Sequence, residues 1–122
     1  MSLNFNGDMP IYLQIIEHIK IEIIRKKYLP NGKLPSVRDF SLELQVNPNT
    51  VQKALSELES MGLIYTERTN GKFVTGDVSV IKELTDKTVC DMVRDFYEAM
   101  GKLGLSADEI REILKNEGKE QL

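Results

Sequence analysis

Leu34-Pro35-Ser36-Val37-Arg38-Asp39-Phe40-Ser41-Leu42-Glu43-Leu44-Gln45-Val46-Asn47-Pro48-Asn49-Thr50-Val51-Gln52-Lys53-Ala54-Leu55 is the stretch whose reading decides the fold. Ser36, followed three residues later by Asp39, has the form of a capping box, and Phe40, Leu42 and Leu44 give the short helix behind it an apolar side. That helix is expected to stop near Gln45 and Val46. Asn47 then makes a good N-cap and Pro48 suits a first helical position. Val51, Ala54, Leu55, Leu58 and Met61 form a stripe that Gly62 ends. Two short helices meeting across a tight turn have the sequence shape of a helix-turn-helix, with the second, recognition helix at about residues 48–61.

On the amino-terminal side, Asp8 is placed to cap a helix with Pro10 in its first turn. Tyr12, Ile15, Ile16, Ile19 and Ile23 recur there at helical spacing up to about Lys27. Arg25, Lys26 and Lys27 in its last turn suit either the negative end of the helix dipole or a phosphate. Tyr28 to Leu34, with Pro30, Asn31 and Gly32, reads as a loop. On the carboxy-terminal side, Leu63 to Tyr65 and Lys72 to Thr75 are β-prone and flank Asn70-Gly71, so residues 63–75 are expected to form a two-stranded wing. The Asn70-Gly71 turn is expected to need positive φ angles. Beyond Asp77, Ile81, Leu84, Val89, Met92, Val93, Phe96 and Met100 mark a long helix ending at Gly101. Ser106 and Glu109 repeat the capping-box pattern ahead of a short last helix with Ile110, Ile113 and Leu114.

The fold expected is therefore mainly α with a small β-hairpin. A winged helix-turn-helix DNA-binding domain occupies residues 1–76, and a short two-helix dimerisation tail occupies residues 77–122. The chain has 122 residues and a net charge of -3, too little length for a DNA-binding domain and a full effector domain side by side. The charge divides unevenly: residues 1–76 carry nine Lys/Arg against eight Asp/Glu, and residues 77–122 carry seven against eleven. Phosphate neutralisation supplies most non-specific affinity for DNA, so a near-neutral domain needs dimerisation and base contacts to bind usefully. Apolar runs are too short to span a bilayer or form a secretory core, and the one cysteine, Cys90, leaves no intrachain disulfide. A cytoplasmic protein without membrane association, metal or cofactor is expected.

Gly32, Leu34-Pro35-Ser36-x-Arg38, Val46-Asn47, Thr50-Val51, Leu58-x-x-x-Gly62-Leu63 and the wing residues Arg68, Gly71, Phe73 and Val74 stand in the order and spacing of the GntR family of bacterial regulators, which the chain resembles from about Pro10 to Thr75. The resemblance implies a winged helix, DNA binding and homodimerisation. The shortness of the tail, together with Asn47-Pro48-Asn49-Thr50-Val51, resembles the YtrA-like subfamily, whose two carboxy-terminal helices are taken to dimerise. By resemblance Arg38 is the DNA-contacting arginine, where the competing reading is a surface salt bridge. Pro48 stands where the family often has an arginine, which removes one contact.

Position assigns the remaining roles. Ser36, Asn47 and Thr50 lie at helix starts, where free N–H groups and the helix dipole favour phosphate. Asn49, Gln52 and Lys53 lie away from Val51, Ala54 and Leu55 and are candidate major-groove readers, with Lys53 suited to guanine or phosphate. Arg68, Gly71 and Lys72 are expected at the wing tip, near the minor groove or its flanking phosphates. Ile81, Leu84, Val89, Met92, Val93, Phe96 and Met100 are the candidate dimer interface, because the short last helix cannot cover so wide a stripe.

Other chemistry is thin. His18 has no second ligand nearby in sequence. Asp91, Asp95 and Glu98 share a helical face that reads as solvated rather than cation-binding, and Cys90 reads as packed rather than redox-active. No nucleophile or acid/base pair marks an enzyme. The leading class is a repressor-like dimer on a palindromic operator. The alternative is a winged-helix protein-interaction module with little DNA affinity, and a small-molecule effector would need a site between subunits or between tail and wing.

Overall fold

A computed structural model describes residues 5–121, with side chains to residue 117. The order is α1 (Ile11–Ile24), α2 (Val37–Leu44), α3 (Pro48–Ser60), β1 (Ile64–Glu67), β2 (Gly71–Val74), α4 (Val78–Gly101) and α5 (Ala107–Gln121). The fold is mainly helical with a two-stranded antiparallel hairpin, a winged helix followed by carboxy-terminal helices. By contacts the chain divides into two units, residues 1–85 and 86–122. The boundary falls inside α4, later than the end of the hairpin.

Local chemistry sets most of the boundaries. Ser36 Oγ accepts the Asp39 N–H at 3.0 Å, which starts α2, and Gln45 ends it in the left-handed region at φ 56°. Asn47 Oδ1 accepts the Asn49 N–H at 2.8 Å with Pro48 in the first position of α3. Gly62, at φ +78°, turns the chain out of α3 into β1. In the second unit the capping box of α5 is complete: Ser106 N–H donates to Glu109 Oε1 and Glu109 N–H to Ser106 Oγ, both at 3.1 Å. Asp77 Oδ1 accepts from Ser79 N–H and Oγ–H, and these hydrogen bonds hold its carboxyl below the usual carboxylate range.

The start of α1 departs from expectation. Pro10, not Asp8, is the N-cap, and its side chain caps nothing. The buried Gln14 orders the entry instead: its Nε2 donates to the carbonyls of Asn6 and Met9, and its Oε1 accepts the Asn6 N–H. The helix also ends three residues earlier than expected, because Lys26 takes a left-handed φ of 68°.

The core of the first unit is built by Ile15, Ile16, Ile19 and Ile23 of α1, Phe40 and Leu44 of α2, and Val51, Ala54, Leu55 and Leu58 of α3. Leu34, Leu63, Ile64, Val74 and Ile81 complete it. Burying side chains of this size stabilises by roughly 1.5–3 kcal/mol each. Ile81 is 5 % exposed and Leu84 packs on the same cluster. These two apolar positions of α4 therefore serve the winged helix rather than a face open to another copy. In the second unit Ile110 is buried, whereas Val89, Met92, Val93 and Phe96 lie exposed.

The wing turn also differs. The strands pair Glu67 with Gly71, so three residues form the loop, and Asn70 N–H closes a turn onto Glu67 O. Positive φ falls on Gly71 (+104°) and not on Asn70. A single positive-φ residue after the turn, instead of positive φ at both central positions, distinguishes this hairpin from the two-residue Asn-Gly turn. The segment expected to be plain loop pairs with the wing: Asn31 N–H donates to Val74 O, Val74 N–H to Gly32 O and Leu34 N–H to Lys72 O, with a bridge between Lys33 and Phe73. This pairing fixes the wing beside the start of α2.

Candidate nucleic-acid interface

Because residues 31–34 pair with β2, Lys33, Ser36 and Val37 share one open groove of about 340 Å³ with Arg68, Thr69, Asn70 and Gly71. The amino terminus of α2 and the wing loop thus form a continuous surface. Arg38 is exposed and forms no ion pair among the described residues. Arg68 is likewise exposed and unpaired among the described residues.

Helix α3 turns about 100° per residue, which puts Asn49, Lys53, Ser56 and Ser60 opposite the buried stripe of Val51, Leu55 and Leu58 and puts Gln52 on one flank. Its first two turns hold no acid, while Glu57 and Glu59 lie in its last turns. The dipole adds a partial positive charge at the start. The amino-terminal half is consequently the end able to approach a polyanion. Asn49 and Gln52 are exposed there, with Gln52 Nε2 donating to Ser56 Oγ at 3.3 Å. Asn47 and Ser36 spend their side-chain oxygens on caps, leaving backbone N–H groups as their contribution. Thr50 is half-buried, with its N–H bonded to Asn47 O.

Two lysines are not free in the way the sequence suggests. Lys72 is not a wing-tip cation: its Nζ lies 3.2 Å from Glu59 Oε1 and 2.8 Å from Thr66 Oγ1. It stands opposite Thr66 in the hairpin register, and that face turns back onto α3. The hydrogen bonds from Thr66 and Lys72 hold the Glu59 carboxyl below its usual range. Lys53 Nζ sits 3.9 Å from the centroid of the Tyr12 ring, a contact between α1 and α3 that no spacing within one helix reveals.

The basic cluster after α1 resolves partly toward structure. Lys27 Nζ lies 3.7 Å from Glu22 and 3.9 Å from Glu43, joining the end of α1 to α2. Burial, then Glu43 and Glu22, raises the pKa of the neighbouring Tyr28. In the second unit Asp91 pairs with Lys87 and Arg94 at 3.0 and 2.8 Å, and the pairing keeps its carboxyl below the usual range. No cluster of metal-ligating side chains occurs among the described residues. Cys90 is exposed rather than packed. No helix among the described residues is long and apolar enough to cross a membrane.

The family model for "Bacterial regulatory proteins, gntR family" matches residues 11–74, more than half of the chain and the whole surface just described. The chain belongs to the GntR family. It is 39% identical over 115 residues to the HTH-type transcriptional regulator YhcF of Bacillus subtilis (strain 168), covering 94% of this chain and 95% of that protein. It is 37% identical over 100 residues to the HTH-type transcriptional repressor YtrA of the same strain, covering 75% of this chain and 77% of the relative. Among solved structures, a GntR family transcriptional regulator from Listeria monocytogenes superposes with a TM-score of 0.84 at 38% identity, covering 92% of this chain and 98% of that one. The DNA-binding domain of AraR in complex with operator ORX1 superposes with a TM-score of 0.57 at 30% identity, covering 62% of this chain and 95% of that one. This GntR chain is therefore a transcriptional regulator built on the family's winged-helix DNA-binding domain.

Proposed function

We propose that this GntR regulator represses transcription as a homodimer on a palindromic operator. The amino-terminal half of α3 lies in the major groove, and the wing reaches flanking phosphates or the minor groove. The observation that carries this reading is the exposed Arg38, without an ion pair among the described residues, together with the acid-free start of α3, whereas Lys27 and Lys72 are tied to carboxylates. Arg38 presents a planar fork of donors suited to guanine or to phosphate. Ser36 and Asn47 bring helix starts to phosphates and Thr50 offers its hydroxyl, Asn49 and Gln52 read bases, and Arg68 and the Gly71 turn bring the wing to the backbone. The operator-bound AraR domain and the repressor YtrA support DNA as partner and repression as mode.

The second copy is the proposed occupant of the exposed face of Val89, Met92, Val93 and Phe96, to which Met100 adds a half-buried neighbour. Met92, Val93, Phe96, Tyr97 and Leu114 also line an open apolar pocket of about 320 Å³ within the second unit. A contiguous apolar face of this kind marks an interface, and a two-fold axis would let it cover itself. A dimer joined in this way requires half-sites about one helical turn, or a multiple, apart.

Fluorescence anisotropy tests the proposal, using a duplex selected from a random-sequence library and Arg38→Ala as the matched control. Saturable, salt-sensitive binding is expected, weakened by about 1–3 kcal/mol per half-site in the variant. Absence of any selected sequence, or an Arg38→Ala variant that binds like wild type, would favour a winged-helix interaction module.

A further inference from the structure

The domain's lysines sort by what neutralises them. Lys72 gives its charge to Glu59, and Lys27 divides its own between Glu22 and Glu43. Lys53 is different: its ammonium rests over an aromatic ring and forms no ion pair among the described residues. A ring face attracts a cation through its quadrupole without cancelling the charge. The positive charge therefore remains available, on one side only, because the ring covers the other.

Position gives that charge a use. Lys53 lies nearly opposite the buried stripe of α3, within the acid-free half of the helix, and Tyr12 is an edge residue of the α1 stripe, half-buried against the core. A free lysine loses considerable rotamer freedom when it is fixed on a ligand, whereas one already held loses less. An ammonium held against α1 is also displaced from the roving reach that a base contact across the groove would demand.

We infer that Tyr12 is a positioning residue that holds the Lys53 ammonium, still charged, for an operator backbone phosphate, so that Lys53 anchors the recognition helix instead of reading a base. The inference rests on the DNA-binding reading above and adds to it a residue of α1 outside the helix-turn-helix.

The test is a double-mutant cycle of Tyr12→Leu and Lys53→Gln, with Tyr12→Phe as the conservative control, titrated on the selected operator and on a scrambled duplex at several salt concentrations. Lys53→Gln is expected to weaken both duplexes alike and to lower the salt slope by about 0.9 per half-site. Tyr12→Leu is expected to weaken binding by about twofold to fivefold, and to do nothing further once Lys53 is Gln. Tyr12→Phe keeps the ring and is expected to bind like wild type. In the free protein, proton NMR should show the Lys53 ε-methylene shifted upfield by the ring, and the shift lost in Tyr12→Leu.

Equal losses from Tyr12→Leu in both Lys53 backgrounds would overturn the inference, as would a Lys53→Gln variant with altered base preference and an unchanged slope. A ring-shifted lysine in a protein that binds neither duplex would overturn it as well, and would do so by removing the DNA-binding reading itself. If wild type binds and the cycle fails, only the role of Tyr12 is lost.

Discussion

Glu59 Oε1 on α3 lies 3.2 Å from Lys72 Nζ on β2, so the recognition helix and the wing are tied by an ion pair that also takes in the Thr66 hydroxyl at 2.7 Å. Glu59 is exposed and Lys72 half-buried, and ion pairs near the surface contribute about 0–1 kcal/mol. Its acid dependence has a definite sign. The folded-state pKa of Glu59 is lowered, so its contribution is present above the ordinary carboxylate range and disappears as pH falls through the lower folded value. Wild type should therefore melt slightly above Glu59→Gln near pH 7, and the gap should close in acid. An equal gap at pH 7 and pH 3 would show that the carboxylate charge is not what joins wing and helix.

Capping and reading should separate at the start of α3. The Asn47 side chain caps the helix, while that of Asn49 is exposed. Asn47→Ala should cost about 1 kcal/mol of stability, within a range of about 0.5–2. Asn49→Ala should leave stability within about 0.5 kcal/mol while reducing operator affinity. Thermal denaturation beside anisotropy decides this, and a pair of variants with matching stability losses would contradict the assignment.

At the wing, the left-handed backbone falls on Gly71, where φ is +104°. A side chain at that angle is strained, so Gly71→Ala should destabilise by roughly 1 kcal/mol or more. Asn70→Ala should be nearly neutral, because Asn70 does not take a positive φ. Chemical denaturation of the two variants checks this, and a larger loss at Asn70 would restore the two-residue turn.

These outcomes bear on how much the sequence can tell. The ends of α2 and α3 were legible because Ser36, Asn47, Pro48 and Gly62 act within three residues of themselves. The helix-turn-helix followed from that stretch, and the family resemblance from it together with Gly32 and the wing residues Arg68, Gly71, Phe73 and Val74. The wing was legible as a hairpin but not in its turn, since Asn-Gly fits either register and pairing of residues 31–34 with β2 decides where the strands begin. Gln14 was hidden because its partners, Asn6 and Met9, precede the helix and leave no periodic signal. At the site, exposure at Asn49 and Gln52 followed from helical phase, and the role of Arg38 from the family resemblance. The engagement of Lys72 by Glu59 and of Lys53 by Tyr12 did not, because each joins elements whose packing no local pattern specifies. The same limit applied to the stripe from Ile81 to Met100, which reads as one face although its first members complete the core of the winged helix.

That division of α4 gives a prediction for assembly. Phe96 is 41% exposed within its own chain, so Phe96→Glu should leave the protomer folded while placing a carboxylate in the apolar face proposed to meet a second copy. An unpaired charge is costly to bury, and at a two-fold interface the substitution enters twice. The variant should run at monomer mass in light scattering, keep its melting transition, and bind the palindrome no better than a single half-site. Ile81→Glu places the same charge in the core and should unfold the winged helix rather than dissociate the dimer, since Ile81 is 5 % exposed. A dimer that survives Phe96→Glu would locate the interface elsewhere, and a folded monomer from Ile81→Glu would return that residue from the core to the interface.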